Sequence, residues 1–259
     1  MDHISAIARS HGADETVARV VPWFFVWHAQ YWVARAVSPL LFSTYKKLEP
    51  EMKAYWAASI VSTVHAVYIV YIAVIAIETV DIRTSTNVNI TSPESTQANI
   101  VFIAYLCSDL VLALFYNAAW PGWQSNMIHH TTGIICWYLM NQGGFGHCLA
   151  LCAMITETTT PFVNQRFFFD RAGMKAGSLY VVNGLLMTLL WFILRVCLFG
   201  WLGWRMITAM RASILALPPL YFATAVFSYV VGYSLQLFWF SKIFKGALKH
   251  LSPPKARTA

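Results

Sequence analysis

Long apolar segments dominate this chain of 259 residues and constrain its fold more than any other feature. About seven can be marked, and most reach the ~20 residues that a helix needs to cross a ~30 Å hydrocarbon core. They cover approximately residues 20–42, 54–77, 98–119, 126–140, 145–163, 178–203 and 214–240. Helices satisfy their own backbone hydrogen bonds inside a membrane. The pattern therefore predicts an all-α, multi-pass transmembrane helical bundle.

The composition supports a membrane location. Charged residues make up 11% of the chain and hydrophobic residues 58%, whereas a soluble domain carries roughly 25% charged residues. The net charge of +7 does not indicate nucleic-acid binding, because the positive-inside rule for membrane proteins accounts for the excess of cations. All five cysteines lie in or beside apolar segments, and we interpret them as reduced packing residues.

Lysine and arginine are distributed unequally between the two sides of the predicted membrane path. The richer side holds Lys46, Lys47, Lys53, Arg166, Arg171, Lys175, Lys242, Lys245, Lys249, Lys255 and Arg257, and the other holds Arg9, Arg19, Arg83, Arg205 and Arg211. The positive-inside rule predicts a cytosolic C-terminus and a lumenal loop at 78–97. That loop carries a sequon at Asn89, which is either a glycosylation site or a chance triplet too close to the bilayer.

Several predicted spans carry ionisable side chains near the middle of the membrane, namely His65, Asp109, Glu157 and Arg195. A rise of ~1.5 Å per helical residue places them in one layer. Charges at that depth are costly, so they should face the bundle interior and pair. We expect Arg195 to pair with Asp109 or Glu157.

The stretch 126–166 concentrates unusual residues. A pair of histidines, His129-His130, opens one apolar segment, and a Gly143-Gly144 break precedes the next. Pro161 has no N–H, and its ring crowds the carbonyl of Glu157 four residues earlier. The helix is therefore predicted to bend at this carboxylate, with nearby threonine hydroxyls bonding the freed backbone groups.

An ordered set of motifs follows from these residues, and the set resembles a known family. Its elements are Ser108-Asp109, His129-His130, Glu157, the run Pro161-Phe-Val-Asn164-Gln165-Arg166, Val182-Asn183-Gly184 and Arg195. Together they resemble the TLC-domain family of endoplasmic-reticulum lipid proteins, which includes the ceramide synthases, and particularly its small members. The resemblance divides the chain into an N-terminal segment with the first transmembrane helix (1–51), a TLC domain (52–249) and a cytosolic basic tail (250–259).

This resemblance implies a barrel of six transmembrane helices around a lipid-accepting cavity, and a role in lipid homeostasis in the endoplasmic reticulum membrane. In ceramide synthases the matching histidines take part in acyl transfer from acyl-CoA to a sphingoid base. This chain departs from them after the double histidine. It lacks their His-Asp-x-x-Asp element, and the comparable stretch reads MITETTTPFVNQR.

The catalytic candidates are His129, His130, Asp109 and Glu157. One imidazole can remove a proton from an amine or hydroxyl, while the other holds a carbonyl or becomes acylated. Both histidines can equally be interfacial residues that are merely hydrogen-bonded. The carboxyls can act in catalysis, orient a histidine or hold helices together.

The substrate-binding candidates are Arg166, Asn164, Arg195 and His65. Arg166 can grip a phosphate or carboxylate headgroup, or anchor its helix at the cytosolic interface. Asn164 also suits an interhelical hydrogen bond, as does Asn183. A lone histidine pair does not predict a metal site, and no tightly bound cofactor is expected.

The enzymatic hypothesis is an acyltransferase that uses acyl-CoA as co-substrate and acts on a lipid amine or hydroxyl, with membrane lipids as partners. The rival hypothesis is a non-catalytic lipid binder, lipid sensor or cargo receptor with the same cavity, which the missing His-Asp-x-x-Asp element favours. Carboxyls at mid-membrane depth suggest a third, a proton-coupled lipid transporter, although no internal repeat supports it.

Overall fold

A computed structural model describes the backbone of residues 2–116 and 119–251, and the side chains of 15–116 and 119–249. The fold is 84% helix and contains no strand in the described ranges. The elements are α1 (Asp2–Leu41), α2 (Ser43–Lys46), α3 (Pro50–Ile77), α4 (Pro93–Tyr116), α5 (Trp123–Gly143), α6 (His147–Ile155), a 3₁₀ segment (Thr156–Thr159), α7 (Thr160–Arg171), α8 (Ser178–Leu190), a π segment (Trp191–Cys197), α9 (Leu198–Ile207), α10 (Arg211–Leu215) and α11 (Pro219–Leu251).

The all-α prediction is confirmed, and the chain has the architecture of a multi-pass membrane protein. Among the described residues, four helices are long and apolar enough to cross a membrane, namely Pro50–Ile77, Pro93–Tyr116, Ser178–Ile207 and Pro219–Lys249. The count of about seven spans stays a prediction. Of the predicted basic tail, α11 includes the residues up to Leu251, and 252–259 lie outside the described part of the chain.

Contacts between helix ends define the two ends of the bundle. At one end the start of α3 meets the end of α7, where the Tyr55 and Phe167 rings are 4.7 Å apart. We call it the basic end, because the predicted cytosolic lysines and arginines flank these helix termini. At the other end, the loop end, the backbone N–H of Gly146 donates to the Val88 carbonyl of the 78–92 loop. Asn89 is exposed in this loop.

The predicted break between α5 and α6 is confirmed and depends on two glycines. Gly144 (φ +60°) ends α5 and Gly146 (φ +69°) precedes α6, and both adopt the left-handed conformation. Side chains other than glycine rarely tolerate this conformation. Between the two glycines, the N–H of Phe145 donates to the Met140 carbonyl. The chain can therefore reverse within a few residues.

The helix that carries Glu157 changes character at the predicted place. The 3₁₀ segment Thr156–Thr159 interrupts it, and Pro161 lies in the first turn of α7. Threonine hydroxyls donate to backbone carbonyls through this interruption, from Thr156 to Ala153 and from Thr158 to Ile155. The Glu157 carbonyl, which the proline was expected to free, accepts instead from the backbone N–H of Thr160.

The predicted seventh segment divides in two. Residues 214–240 were expected to form one span, but α10 ends at Leu215 and α11 begins at Pro219. Pro218 and Pro219 lack backbone N–H groups, and the residue before a proline is disfavoured in helix. The helix that reaches the basic end therefore starts at the proline pair.

The interior is built by close helix packing. The buried face of α3 consists largely of small residues, among them Ala54, Ala57, Ala66, Ala73 and Ala76. Small residues let helix backbones approach closely inside a membrane. By contrast, apolar side chains such as Leu40, Val67 and Phe115 are more than half exposed on the outside of the bundle, as expected for a surface that faces lipid.

The first helix packs on the outside of α3 and α4. Trp27 and Tyr31 are buried in this interface, and polar contacts support it. Arg19 donates to Gln97, and the Arg35 guanidinium donates to the hydroxyls of Tyr31 and Tyr116. Gln97 and Tyr116 both belong to α4, so these contacts tie α1 to that helix.

Candidate functional site

A cavity of about 570 Å³ occupies the half of the bundle nearest the basic end. This is within the ~300–1,000 Å³ typical of ligand pockets. Helices α3, α4, α5, α7, α8 and α11 all contribute lining residues, and no described residue of α1 does. A lipid-sized cavity thus lies among six helices. Closure of these helices into a barrel stays a prediction.

The cavity runs from an exposed mouth to a buried inner end. Pro121, Gly122 and Lys242 line the mouth and are exposed. Arg195 and His130 line the deeper part and are buried. A ligand can therefore place a polar head at the basic end and reach inward with the rest of its length.

The double histidine lines this cavity. His129 is half-buried and its ring contacts Trp239 edge-on, while His130 is 6% exposed. Successive residues of a helix point about 100° apart, and the two rings are 5.4 Å apart with an interplanar angle of 52°. Both imidazoles can thus face one ligand without stacking on each other.

Asp109 is the partner of His130. The Nδ1 of His130 lies 3.1 Å from the Asp109 Oδ2, and both side chains are nearly buried. The contact has ion-pair distance but does not meet hydrogen-bond angles, so Nδ1 has no aligned acceptor among the described residues. A carboxylate at Nδ1 favours the tautomer that carries its proton there and leaves Nε2 as the basic nitrogen.

Glu157 and Arg195 form a separate ion pair at the inner end of the cavity. The Arg195 Nη2 lies 3.1 Å from the Glu157 Oε1, which confirms one of the two predicted pairings. The Thr160 hydroxyl donates to the other oxygen, Oε2, at 2.5 Å. Because both carboxylate oxygens already accept hydrogen bonds, this arrangement suits an orienting carboxylate better than a general base.

The Arg195 guanidinium is held from several sides. Its Nε donates to Thr159 Oγ1 at 2.7 Å and its Nη1 to Gln236 Oε1 at 3.1 Å. Its plane also lies over the Trp191 ring, 4.5 Å from the centroid. A buried charge is tolerated where its hydrogen-bonding groups have partners. Arg195 therefore has few free N–H groups with which to bind a substrate, the role that was predicted for it.

Arg166 lies nearer the mouth. Its guanidinium is over the Tyr180 ring, 4.1 Å from the centroid. Gly184 makes room for it, because a Cβ at that position would be 2.7 Å from the Arg166 Nη1. Arg166 lines the cavity, as does Lys242 of α11. Two cations thus stand where an anionic headgroup would enter.

The other predicted site residues serve the framework. Asn164 donates from Nδ2 to the Ser59 carbonyl and the Thr63 hydroxyl. The Nδ2 of Asn183 donates to the Phe162 carbonyl. The interhelical hydrogen bonds expected of both are confirmed, and Asn164 also reaches the cavity wall.

His65 lies outside the cavity lining, contrary to its predicted role in substrate binding. It is 1% exposed and stacks on Tyr105 with ring centroids 3.7 Å apart. Trp27 of α1 contacts the same imidazole edge-on. His65 faces away from the cavity because this aromatic cluster against α1 occupies its side of α3.

Two residues of the site were not predicted. Gln236 accepts from Arg195 and is 2% exposed. The sequence could have identified Gln236, because a polar residue inside an apolar span marks a functional or packing site, as a charged residue does. Tyr105 lines the cavity one helical turn before Asp109 and contacts His130 edge-on, but no sequence pattern separates it from other aromatic residues.

Comparisons with known proteins agree on one family. The family model described as "TLC domain" matches residues 55–245. TLC domain-containing protein 4 of Homo sapiens is 28% identical over 88% of this chain and 87% of that protein. TLC domain-containing protein 4-B of Xenopus laevis is 30% identical over 62% of this chain and 61% of that protein. A Dictyostelium discoideum relative, TLC domain-containing protein 4 A, is 23% identical over 88% of this chain and 87% of its own length. No solved structure matches the chain.

Proposed function

The chain belongs to the TLC-domain family, and on that premise we propose that it transfers an acyl group to a lipid amine or hydroxyl inside its cavity. The observation that carries this proposal is the His130–Asp109 pair in the wall of a cavity of about 570 Å³. His130 can act as the general base of such a transfer, with Asp109 orienting its ring, and the cavity is large enough for a lipid chain.

The reaction can be written with the residues in hand. The Nε2 of His130 takes the proton from the attacking amine or hydroxyl, which bonds to the carbonyl carbon of an acyl thioester. The carbon–sulfur bond breaks, and the departing thiolate takes the proton from the imidazolium. The products are an amide or ester and a free thiol. Asp109 stabilises the imidazolium in between, and His129 is placed to hold the carbonyl oxygen.

The mouth of the cavity supports acyl-CoA as the donor. Arg166 and Lys242 line it, and a guanidinium and an ammonium both bind phosphate groups. We place the protein in the endoplasmic reticulum membrane with the basic end in the cytosol, where acyl-CoA is available. The proposed role of the protein is in lipid homeostasis, and sphingolipid metabolism is one pathway that its products would enter.

A non-catalytic lipid binder or sensor is the second candidate. The observation that favours it is the set of hydrogen bonds made by Glu157 and Arg195. The polar atoms of both side chains are bonded to other protein groups and not left for a substrate. An inner end of this kind fixes the shape of the cavity, which a binder needs, but takes no part in a reaction. A binder needs the cavity but does not need a basic Nε2 on His130, and this difference separates the two candidates.

The test is lipid analysis of cells that lack the protein. Wild-type protein is expected to restore the lipid profile, while His129→Ala with His130→Ala is expected to fail at equal expression. His147→Gln is the matched control, because His147 is a buried histidine at the loop end, bonded to Ser95. A double variant that fully restores the profile would exclude catalysis and support the binder.

A further inference from the structure

A second, smaller cavity adjoins the inner end of the large one. It has a volume of about 40 Å³ and shares Phe102, His129 and Glu157 with the large cavity. We call it the end chamber, and its far wall includes Trp137, Phe199 and Gly232. Two cavities are thus separated by a partition of three side chains.

The end chamber continues the long axis of the large cavity. Helix α5 runs from the basic end to the loop end, and its last residue in the large cavity is His130, whereas the end chamber extends along it to Trp137. Helix α11 runs the opposite way and lines the end chamber up to Gln236 and the large cavity from Trp239 onward. Seven residues of α5 correspond to about 10 Å at 1.5 Å per residue. The end chamber therefore lies deeper in the bundle.

The surface of the end chamber is almost entirely apolar. The polar residues in its wall expose few polar atoms to the chamber. The Oε1 of Gln236, for example, accepts a hydrogen bond from Arg195. Small apolar cavities do not hold water well and accept apolar groups instead. An occupant with a headgroup or a charge has no partner there, whereas the methyl end of an alkyl chain does.

We propose that the end chamber receives the methyl end of an acyl chain that extends from the large cavity past Phe102 and His129, and that Gly232 and Phe199 limit the length of that chain. The inference rests on the proposed function, because it takes the cavity occupant to be an acyl chain. It adds a specificity site that lies beyond the histidine pair.

Gly232 offers a way to fill the end chamber. A Cβ at this position would lie 3.8 Å from the Phe199 Cε1, which is ordinary contact, so α11 can carry a side chain here. Leucine is also a better helix former than glycine. Gly133 is unsuitable, because a Cβ there would be 2.7 Å from the Leu106 Cδ1. Gly232→Leu should shorten the end chamber, and Phe199→Leu should lengthen it.

The experiment measures which saturated fatty acids the purified full-length protein retains from an equimolar series of increasing chain length, with the bound acids quantified by mass spectrometry. Wild-type protein is expected to show an upper limit of chain length. Gly232→Leu should move that limit to shorter acids by at least one step of the series. Phe199→Leu should move it to longer acids. Val230→Leu, on the exposed face of α11, is the matched control and should leave the limit unchanged.

Two results would overturn the inference, namely an unchanged limit in Gly232→Leu and a length preference that is absent from the wild type. If Phe199→Leu does not fold, Gly232→Leu decides alone. The proposed function fails separately. A His130→Gln protein should keep the wild-type limit while losing transfer. A wild type without transfer activity whose limit still shifts in Gly232→Leu would contradict the acyltransferase and leave the end chamber standing.

Discussion

The Nη2 of Arg195 and the Oε1 of Glu157 lie 3.1 Å apart where two irregular helical segments meet. Arg195 belongs to the π segment Trp191–Cys197, and Glu157 to the 3₁₀ segment Thr156–Thr159. Such departures from α-helix are frequent at functional sites. Here the altered register turns one cation and one carboxylate toward the same point in the cavity.

Removing Arg195 should destabilise the protein strongly. Arg195→Leu leaves the Glu157 carboxylate buried without its cation, and breaking a buried pair in this way costs about 3–5 kcal/mol. The measurement is thermal unfolding in detergent. Arg211→Leu is the control, because Arg211 is exposed, and it should unfold close to the wild-type temperature. Equal losses in both variants would contradict a structural role for the ion pair.

The carboxylate behind His130 should matter for rate more than for stability. Asp109→Asn keeps the shape of the side chain but removes the charge that stabilises the imidazolium. Positioned acid–base groups contribute roughly 10²–10⁴ in rate, so a drop of about 10² in acyl transfer is expected. Glu94→Gln, at the start of α4 and exposed, is the control. An Asp109→Asn protein with wild-type transfer would exclude the pair from the reaction.

Gly184 tests the role of Arg166 without removing it. A Cβ at position 184 would lie 2.7 Å from the Arg166 Nη1, so Gly184→Ala should push the guanidinium away from Tyr180. Alanine in place of a helical glycine gains about 0.5–1 kcal/mol, which offsets the crowding. We expect near wild-type unfolding but about tenfold weaker binding of coenzyme A, as measured by titration. Val230→Leu, on the exposed face of α11, is the control, and unchanged binding in Gly184→Ala would assign Arg166 to the anchor role.

The orientation of the bundle can be tested with single added cysteines. Lys249→Cys at the basic end should react with a membrane-impermeant maleimide in sealed endoplasmic-reticulum vesicles. Arg83→Cys in the exposed 78–92 loop should react only after the membrane is opened. The unmodified protein supplies the background of its natural cysteines. Labelling of both positions from the outside would contradict the predicted topology.

Much of the fold follows from apolar periodicity and punctuation. The helix break at Gly143-Gly144 and the interruption before Pro161 were predicted from local chemistry that the sequence displays. The pairing of Arg195 with Glu157 was one of two predicted alternatives. Depth along a helix can be counted at 1.5 Å per residue. This explains why Arg195 and Glu157, which were expected at one depth, meet there.

The direction of each side chain around its helix was harder to predict. A shift of one residue turns a side chain by about 100°, and the 3₁₀ and π segments introduce such shifts. Asp109 was a candidate partner of Arg195 but contacts His130. His65 was expected to face the cavity but stacks on Tyr105 toward α1. Both outcomes depend on packing between distant segments, which local patterns do not encode.

The central claim is that His130 acts as the base in acyl transfer. The most direct measurement uses purified protein in liposomes with a radiolabelled long-chain acyl-CoA and a mixture of lipid amines and alcohols as acceptors. The account predicts a labelled amide or ester from the wild-type protein, its loss by at least about 10²-fold in His130→Gln, and retention in His147→Gln. Equal labelled product from wild type and His130→Gln would contradict the claim, as would no product from wild-type protein that still binds the acyl chain.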